Sequence, residues 1–339
     1  MYNNIMLTTL AATANNVSQS YDVPWFMYVL VIGSLFGYAL VEAHHTKKDH
    51  VIQLKEAIRW SIIYVSLALL FTVPVFIFIG SHAAGEYLGA WAIEKALSLD
   101  NLFVIGLIFA SFKVSPKLER RMLNYGIAGA IFFRFIFIVA GTALLKRFEW
   151  VGIFFGLILM HAAWKALQEA RGGGEREEKV EITEKWMWKT ITRVLPVYPE
   201  FVGHKMTVVK DGKRMLTLMA AVVLLIELTD IVFAVDSVPA VLAVSPDRFI
   251  AYSSNVFALL GLRALFFVYQ SVSGKFWALS WALSGILAWI SFKMIAAPLG
   301  FHVNIGVSLA VLFTLLGGSV VVSLKWPREI KVYPIHIAK

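Results

Sequence analysis

Cysteine is absent from all 339 residues. That excludes disulfides, thiolate metal ligation and thiol redox chemistry by the chain itself, and leaves oxygen and imidazole as its metal ligands. Charge is scarce as well: 16% of residues are Asp, Glu, Lys or Arg, against 59% hydrophobic, and the mean hydropathy is +0.72. Ordinary globular domains do not have this balance. The first 23 residues contain no Lys or Arg, so they lack the basic region of a secretory signal. What the chain has instead is a series of apolar runs of about 20 residues, the length that crosses roughly 30 Å of hydrocarbon. This is the composition of an all-α polytopic membrane protein. A net charge of +9 would suggest nucleic acid in a soluble protein. Here the basic residues cluster in a few loops, as membrane topology requires, and no nucleic-acid partner is expected.

Nine spans are predicted, at about 24–42, 58–80, 87–112, 122–145, 149–168, 215–243, 249–271, 276–297 and 304–325. The chain then divides into an extracytoplasmic N-terminus (1–23), helices one to five (24–168), a polar loop (169–214), helices six to nine (215–325) and a tail (326–339). Alternate connections separate by charge. One side receives Lys47, Lys48, Lys55 and Arg59, then Lys113, Lys117, Arg120 and Arg121, ten Lys or Arg from Arg171 to Arg214, Lys275 and the basic tail. The other has Lys146, Arg147 and Arg248. The positive-inside rule places the N-terminus outside and the C-terminus in the cytoplasm.

Charge inside the apolar runs is the exception to this pattern. ELTDIVFAVDSVP carries Glu227, Asp230 and Asp236, and EKALSLDNLFVIG carries Glu94, Lys95, Asp100 and Asn101. Intramembrane acids cost several kcal/mol on the order of insertion scales, so each marks a functional site with a partner. The two stretches are related. Asp100 stands 14 residues before Val114-Ser115-Pro116, and Asp230 stands 14 before Val244-Ser245-Pro246. Arg134 and Arg263 follow at nearly equal distances. This is an internal duplication of three-helix units, and an odd number of spans per copy makes it an inverted repeat, whose substrate commonly lies at the midplane. Pro239 predicts an interruption near Ser237. A continuous helix would set Asp236 about 180° from Glu227, and loosening would let the acids converge.

Glu94, Asp100, Asn101, Glu227, Asp230 and Asp236 make a hard oxygen set suited to Mg²⁺, Ca²⁺ or Mn²⁺. When empty, such a cluster must bind protons or pair with Lys95, Arg134 or Arg263, which suggests exchange of the ion against a proton or a cationic side chain. The alternative is a set of buried ion pairs that lock helices together. His161 reads as an interior hydrogen-bonded residue, and Glu42, His44, His45 and His50 as a polar loop. In the 169–214 loop, RGGGEREEKVEITEK is a solvated linker, Ile182, Trp186, Ile191 and Val194 form an apolar stripe on an interfacial helix, and Asp211-Gly212 marks a hairpin. No constellation for an enzyme is present, and oligomeric state is left open.

EKALSLDNLFVIGLIF followed by FRFIFIVAGTALL, and LIELTDIVFAVDSVPAVLAVS followed by YSSNVFALLGLRALFFV, closely resemble the paired signature segments of the TerC family, including its Alx-like members. The resemblance spans about 55–325 and implies a LysE-related transporter fold in a bacterial cytoplasmic membrane. It also implies manganese export, tellurite resistance by name, and delivery of manganese to exported metalloenzymes. The family's acidic motif falls on Glu94, Asp100, Asn101, Glu227, Asp230 and Asp236. The expected function is therefore efflux of Mn²⁺ as transported substrate, with protons as a possible coupling ion and the lipid bilayer as surroundings. A membrane assembly factor for exported or metal-requiring proteins is the alternative. Some members are called redox modulators, a role that the missing cysteine keeps from being thiol-based.

Overall fold

The computed structural model describes residues 21–46, 54–148, 150–172, 186–210, 212–272, 277–299, 301 and 303–326. Among these residues are ten long helices: α1 (Trp25–Thr46), α2 (Leu54–Phe78), α3 (Ser81–Ser111), α4 (Pro116–Arg147), α5 (Val151–Gly172), α6 (Leu218–Val244), α7 (Arg248–Leu260), α8 (Leu262–Val272), α9 (Leu279–Ala296) and α10 (Ile305–Lys325). Several helix starts are set by their capping residues. Pro116 opens α4 at its first turn, where a missing N–H costs nothing. Asp247 caps α7 by accepting from the N–H groups of Phe249 and Ile250 at 2.9 and 3.0 Å. Thr217 and Asn304 cap α6 and α10 in the same way.

Among the described residues, seven helices are long and apolar enough to cross a membrane, and α7 with α8 makes an eighth span if the bent pair is counted as one. The helix α3, with its internal acids, is not among them. The protein is an all-α, multi-pass integral membrane protein. In α1 and α10 only 17% of the apolar window is buried, against 50% in α6 and α9. The former therefore face lipid and the latter form the interior. Several helices extend past the predicted runs: α4 begins at Pro116, ahead of 122, because its basic first turns remain helical outside the hydrocarbon.

Packing follows the duplication. The most extensive contact joins α5 to α9, the third helix of each copy. Next come two matched pairs, α3 with α7 and α4 with α6, in which the first helix of one copy lies against the second helix of the other. The two first helices, α3 and α6, also touch. Two copies related by a two-fold axis make this pattern.

Two expectations need correction. The helix α6 runs unbroken through Pro239, with Ser237, Val238, Pro239 and Ala240 all buried, so packing on both sides holds the helical path. The break falls in the second helix of that copy instead, predicted as one span, where α7 and α8 bend by 45° around Gly261. A Cβ at Gly261 would stand 2.9 Å from the Tyr64 Cβ and 3.3 Å from the Lys95 Nζ, so glycine is what lets α2 and Lys95 reach the break.

The loop before α6 holds a short helix over 186–194 and a three-stranded sheet, β1 (Val197–Tyr198), β2 (Thr207–Lys210) and β3 (Lys213–Thr217), in the order β1-β3-β2. The expected hairpin forms with Lys210 opposite Lys213, and Gly212 takes φ 72°. The apolar stripe is shifted: Met187 and Ile191 are buried, Trp188 packs on Phe112 with ring centroids 4.7 Å apart, and Trp186 and Val194 are exposed. This face docks on the end of the helical bundle. The linker reading and Ile182 lie outside the described residues.

Candidate functional site

The centre of the site is an arginine with almost no access to solvent. Arg134 of α4 is 1% exposed and forms an ion pair with Glu94 of α3, which is 0% exposed. Its guanidinium also donates to Ser237 Oγ and Asn255 Oδ1, both at 3.4 Å, and to Asp230 Oδ1 at 3.5 Å. Glu94 is completed by Asn255 Nδ2 at 3.0 Å and Ser98 Oγ at 3.3 Å. Four helices, α3, α4, α6 and α7, thus meet on one guanidinium. Such a group is tolerated in an apolar interior only when paired and hydrogen-bonded.

Asp230 is less complete. Its Oδ1 takes Asn101 Nδ2 at 3.3 Å as well as Arg134, whereas its Oδ2 is buried with no hydrogen-bond partner among the described residues. Glu227 precedes it by one turn of α6, and its Oε2 is buried and unpartnered in the same sense, as is the Arg134 Nε. A Cβ at Gly129 of α4 would collide with the Glu227 carboxylate, and one at Gly126 would lie 3.3 Å from Ile226. The glycine face of α4 therefore makes the space that the Glu227 carboxylate occupies. One guanidinium against Glu94, Asp230 and Glu227 leaves two formal negative charges for a cation or protons to balance.

Not every predicted residue converges. Asp100 lies on α3 beside Asn101, and its side chain is outside the described residues. Because α6 is unbroken, Asp236 is half-buried about 180° around the helix from Glu227. Among the described residues, no group of three or more His, Asp and Glu is gathered closely enough to hold a metal ion in this geometry. The structure joins Glu94 and Asp230 to Arg134 and sets Asn101 and Glu227 beside Asp230, with two carboxylate oxygens left over. Lys95 points elsewhere: its ammonium donates at 2.9 Å to the Ala258 carbonyl, capping the end of α7 at the bend.

The duplication has a second buried arginine. Arg263 of α8 forms an ion pair with Glu42 of α1 and donates to Asn124 Oδ1 at 3.5 Å. Tyr64 donates to the other Glu42 oxygen at 3.5 Å. Each copy's arginine thus meets an asparagine of the other copy, Arg134 with Asn255 and Arg263 with Asn124. Glu42 was expected in a polar loop; it is 5% exposed and plays for Arg263 the part that Glu94 plays for Arg134. The side chains of His44, His45 and His50 lie outside the described residues. His161 is exposed on α5, not interior.

Comparison with known proteins agrees with this architecture. A family model described as "Integral membrane protein TerC family" matches residues 79–330. The chain belongs to the TerC family. Among its relatives, an uncharacterized membrane protein of Rickettsia felis is 36% identical over 305 residues, covering 88% of this chain and 97% of that protein. The uncharacterized membrane protein STKORF319 of Myxococcus xanthus is 36% identical over 301 residues, covering 88% and 91%. A protein of Escherichia coli (strain K12), provisionally named membrane-bound redox modulator Alx, is 34% identical over 300 residues, covering 86% and 91%. No solved structure matches the chain significantly.

Within this TerC chain, Asn255, Ser98, Asn124 and Gly129 escaped the sequence reading, and Glu42 and Ser237 entered it only as a loop residue and the place of an expected helix break. An asparagine precedes each repeat's arginine, Asn124 before Arg134 and Asn255 before Arg263, and that pairing is the signal that points to two of them.

Proposed function

We propose that this TerC protein is a membrane transporter of a hard divalent cation, and that it exports manganese from the cytoplasm. The observation that carries the reading is the pair of buried carboxylate oxygens, Asp230 Oδ2 and Glu227 Oε2, left without hydrogen-bond partners one turn apart on α6, with Arg134 reaching only Asp230. Buried acceptors without donors are costly, and a divalent cation supplies both coordination and countercharge. Asp230 and Glu227 act as ligands, Asn101 adds a neutral oxygen or holds Asp230, and Glu94 holds Arg134. Asp100 and Asp236 join when the helices shift. Arg134 keeps the empty site from collapsing into repulsion, and weakening of its contact with Asp230 as the ion binds frees Oδ1 for coordination. Manganese comes from the family resemblance; the donor set itself specifies a hard, oxygen-preferring ion.

The orientation that goes with this reading puts the N-terminus outside a cytoplasmic membrane, by the loop charges. The protein performs no bond-making chemistry. The redox role in the relatives' name does not extend to thiol chemistry here, because the chain has no cysteine. Binding of Mn²⁺ to purified protein, read as loss of the free-ion electron paramagnetic resonance signal, tests the site. Wild type should bind with one-site saturation and Asp230→Asn should bind at least tenfold more weakly, roughly 1.4 kcal/mol. Equal binding by the two would overturn the assignment, and no binding by folded wild type would favour an assembly role.

A further inference from the structure

A separate polar cluster lies near the start of α3, about two turns before Glu94. Glu86 is 7% exposed and accepts a 2.6 Å hydrogen bond from Ser245 Oγ. His82, one turn earlier, brings its Nδ1 to 3.4 Å from the other Glu86 oxygen, and the Tyr21 hydroxyl lies 2.8 Å from that same nitrogen. The His82 side chain is 58% exposed, so it is the cluster's connection to water. Asp247 is occupied with other donors, the N–H groups of Tyr21, Phe249 and Ile250. Lys293 of α9 lies within electrostatic range of Glu86.

A small cavity beside the cluster is lined chiefly by apolar side chains, among them Ile93, Val244, Ile286, Ile290 and Leu312, and offers no polar path inward.

We propose that Glu86 is the outer proton-accepting group of this transporter, loaded from water through His82. The proposal rests on the transport reading and deepens it by naming where a coupling proton enters. A proton from bulk water passes by the His82 imidazole to the Glu86 carboxylate, which it neutralises, as the divalent cation leaves. No other bond changes. Ser245 and Tyr21 hold the carboxylate and the imidazole in contact, while Asp247 and Lys293 bring one charge of each sign to the cluster. The loop charges put this end of α3 outside, the side from which an exporter would take up its proton.

The test uses full-length protein in proteoliposomes and separates two activities: net Mn²⁺ movement driven by an imposed pH gradient, and isotopic Mn²⁺-for-Mn²⁺ exchange at equal pH, which needs no net proton. Glu86→Gln should lose the response to the gradient and keep exchange. His82→Ala, at an exposed position, should slow gradient-driven movement and leave exchange unchanged, which keeps a readout if Glu86→Gln fails to fold. Wild-type response to the gradient in folded Glu86→Gln, loss of exchange together with net movement, or an unaffected His82→Ala would each overturn the proposal. Wild type lacking both activities would remove the transport reading, and this inference with it.

Discussion

Arg134→Gln should be the most destabilising single substitution in the bundle. The guanidinium is 1% exposed and is the shared partner of Glu94, Asp230, Ser237 and Asn255. Removing it leaves two carboxylates without their cation in an apolar interior, and breaking a buried pair in this way costs about 3–5 kcal/mol. At the 2 °C per kcal/mol typical of long chains, the unfolding midpoint should fall by roughly 6–10 °C. The assay is intrinsic fluorescence of the 11 tryptophans during heating in detergent. Arg134→Leu combined with Glu94→Leu should recover part of the loss, because opposite charges then leave together. Millimolar Mn²⁺ should raise the Arg134→Gln midpoint by supplying the missing charge to the folded state. A midpoint for Arg134→Gln indistinguishable from wild type would refute the reasoning, since the guanidinium would then not be holding the acids.

Gly129→Ala places a methyl group against the Glu227 carboxylate, so it should cost about 1–3 kcal/mol of stability and weaken Mn²⁺ binding, both measured on purified protein. Unchanged affinity would mean that Glu227 does not bind from this position. Glu42→Gln removes the charge paired with Arg263 and should lower the unfolding midpoint while leaving Mn²⁺ affinity intact, since Glu42 belongs to the other arginine centre. Lys95→Met strips the Ala258 carbonyl of a charged donor, worth about 1.5–3 kcal/mol. Amide exchange around Gly261 should accelerate in that variant, and exchange at the wild-type rate would show that the cap does not hold the bend.

The membrane class and the duplication were legible because each is written in a long pattern, whereas nine spans were expected and seven or eight are found among the described residues. Apolar runs report spans whatever their partners, and Asp100/Asp230 with their trailing Ser-Pro pairs report the repeat. Arg134 was also legible as a counter-ion, because an isolated cation in such a run must find an acid. Partner choice was not. Arg134 and Arg263 look alike in sequence, yet one meets Glu94 and the other Glu42, since the approach of Glu42 on α1 to Arg263 on α8 depends on packing that no local signal encodes. Lys95 adjoins Glu94 in sequence, but about 100° of helical rotation sends it to the α7 terminus. Pro239 suggested the wrong break for a related reason. A proline weakens a helix locally, and whether the helix parts there is settled by its neighbours; here they hold α6 straight and leave the bend to Gly261, where α2 and Lys95 press closest.

The central claim is that the Arg134-centred carboxylates carry a divalent cation across the membrane. It is tested most directly by Mn²⁺ flux into and out of proteoliposomes containing wild type or Asp230→Asn, with unfolding midpoints confirming that both are folded. Saturable Mn²⁺ movement in wild type, lost in Asp230→Asn, is the predicted result. Equal movement in the two would contradict the site, and no movement in wild type in either direction would contradict transport itself.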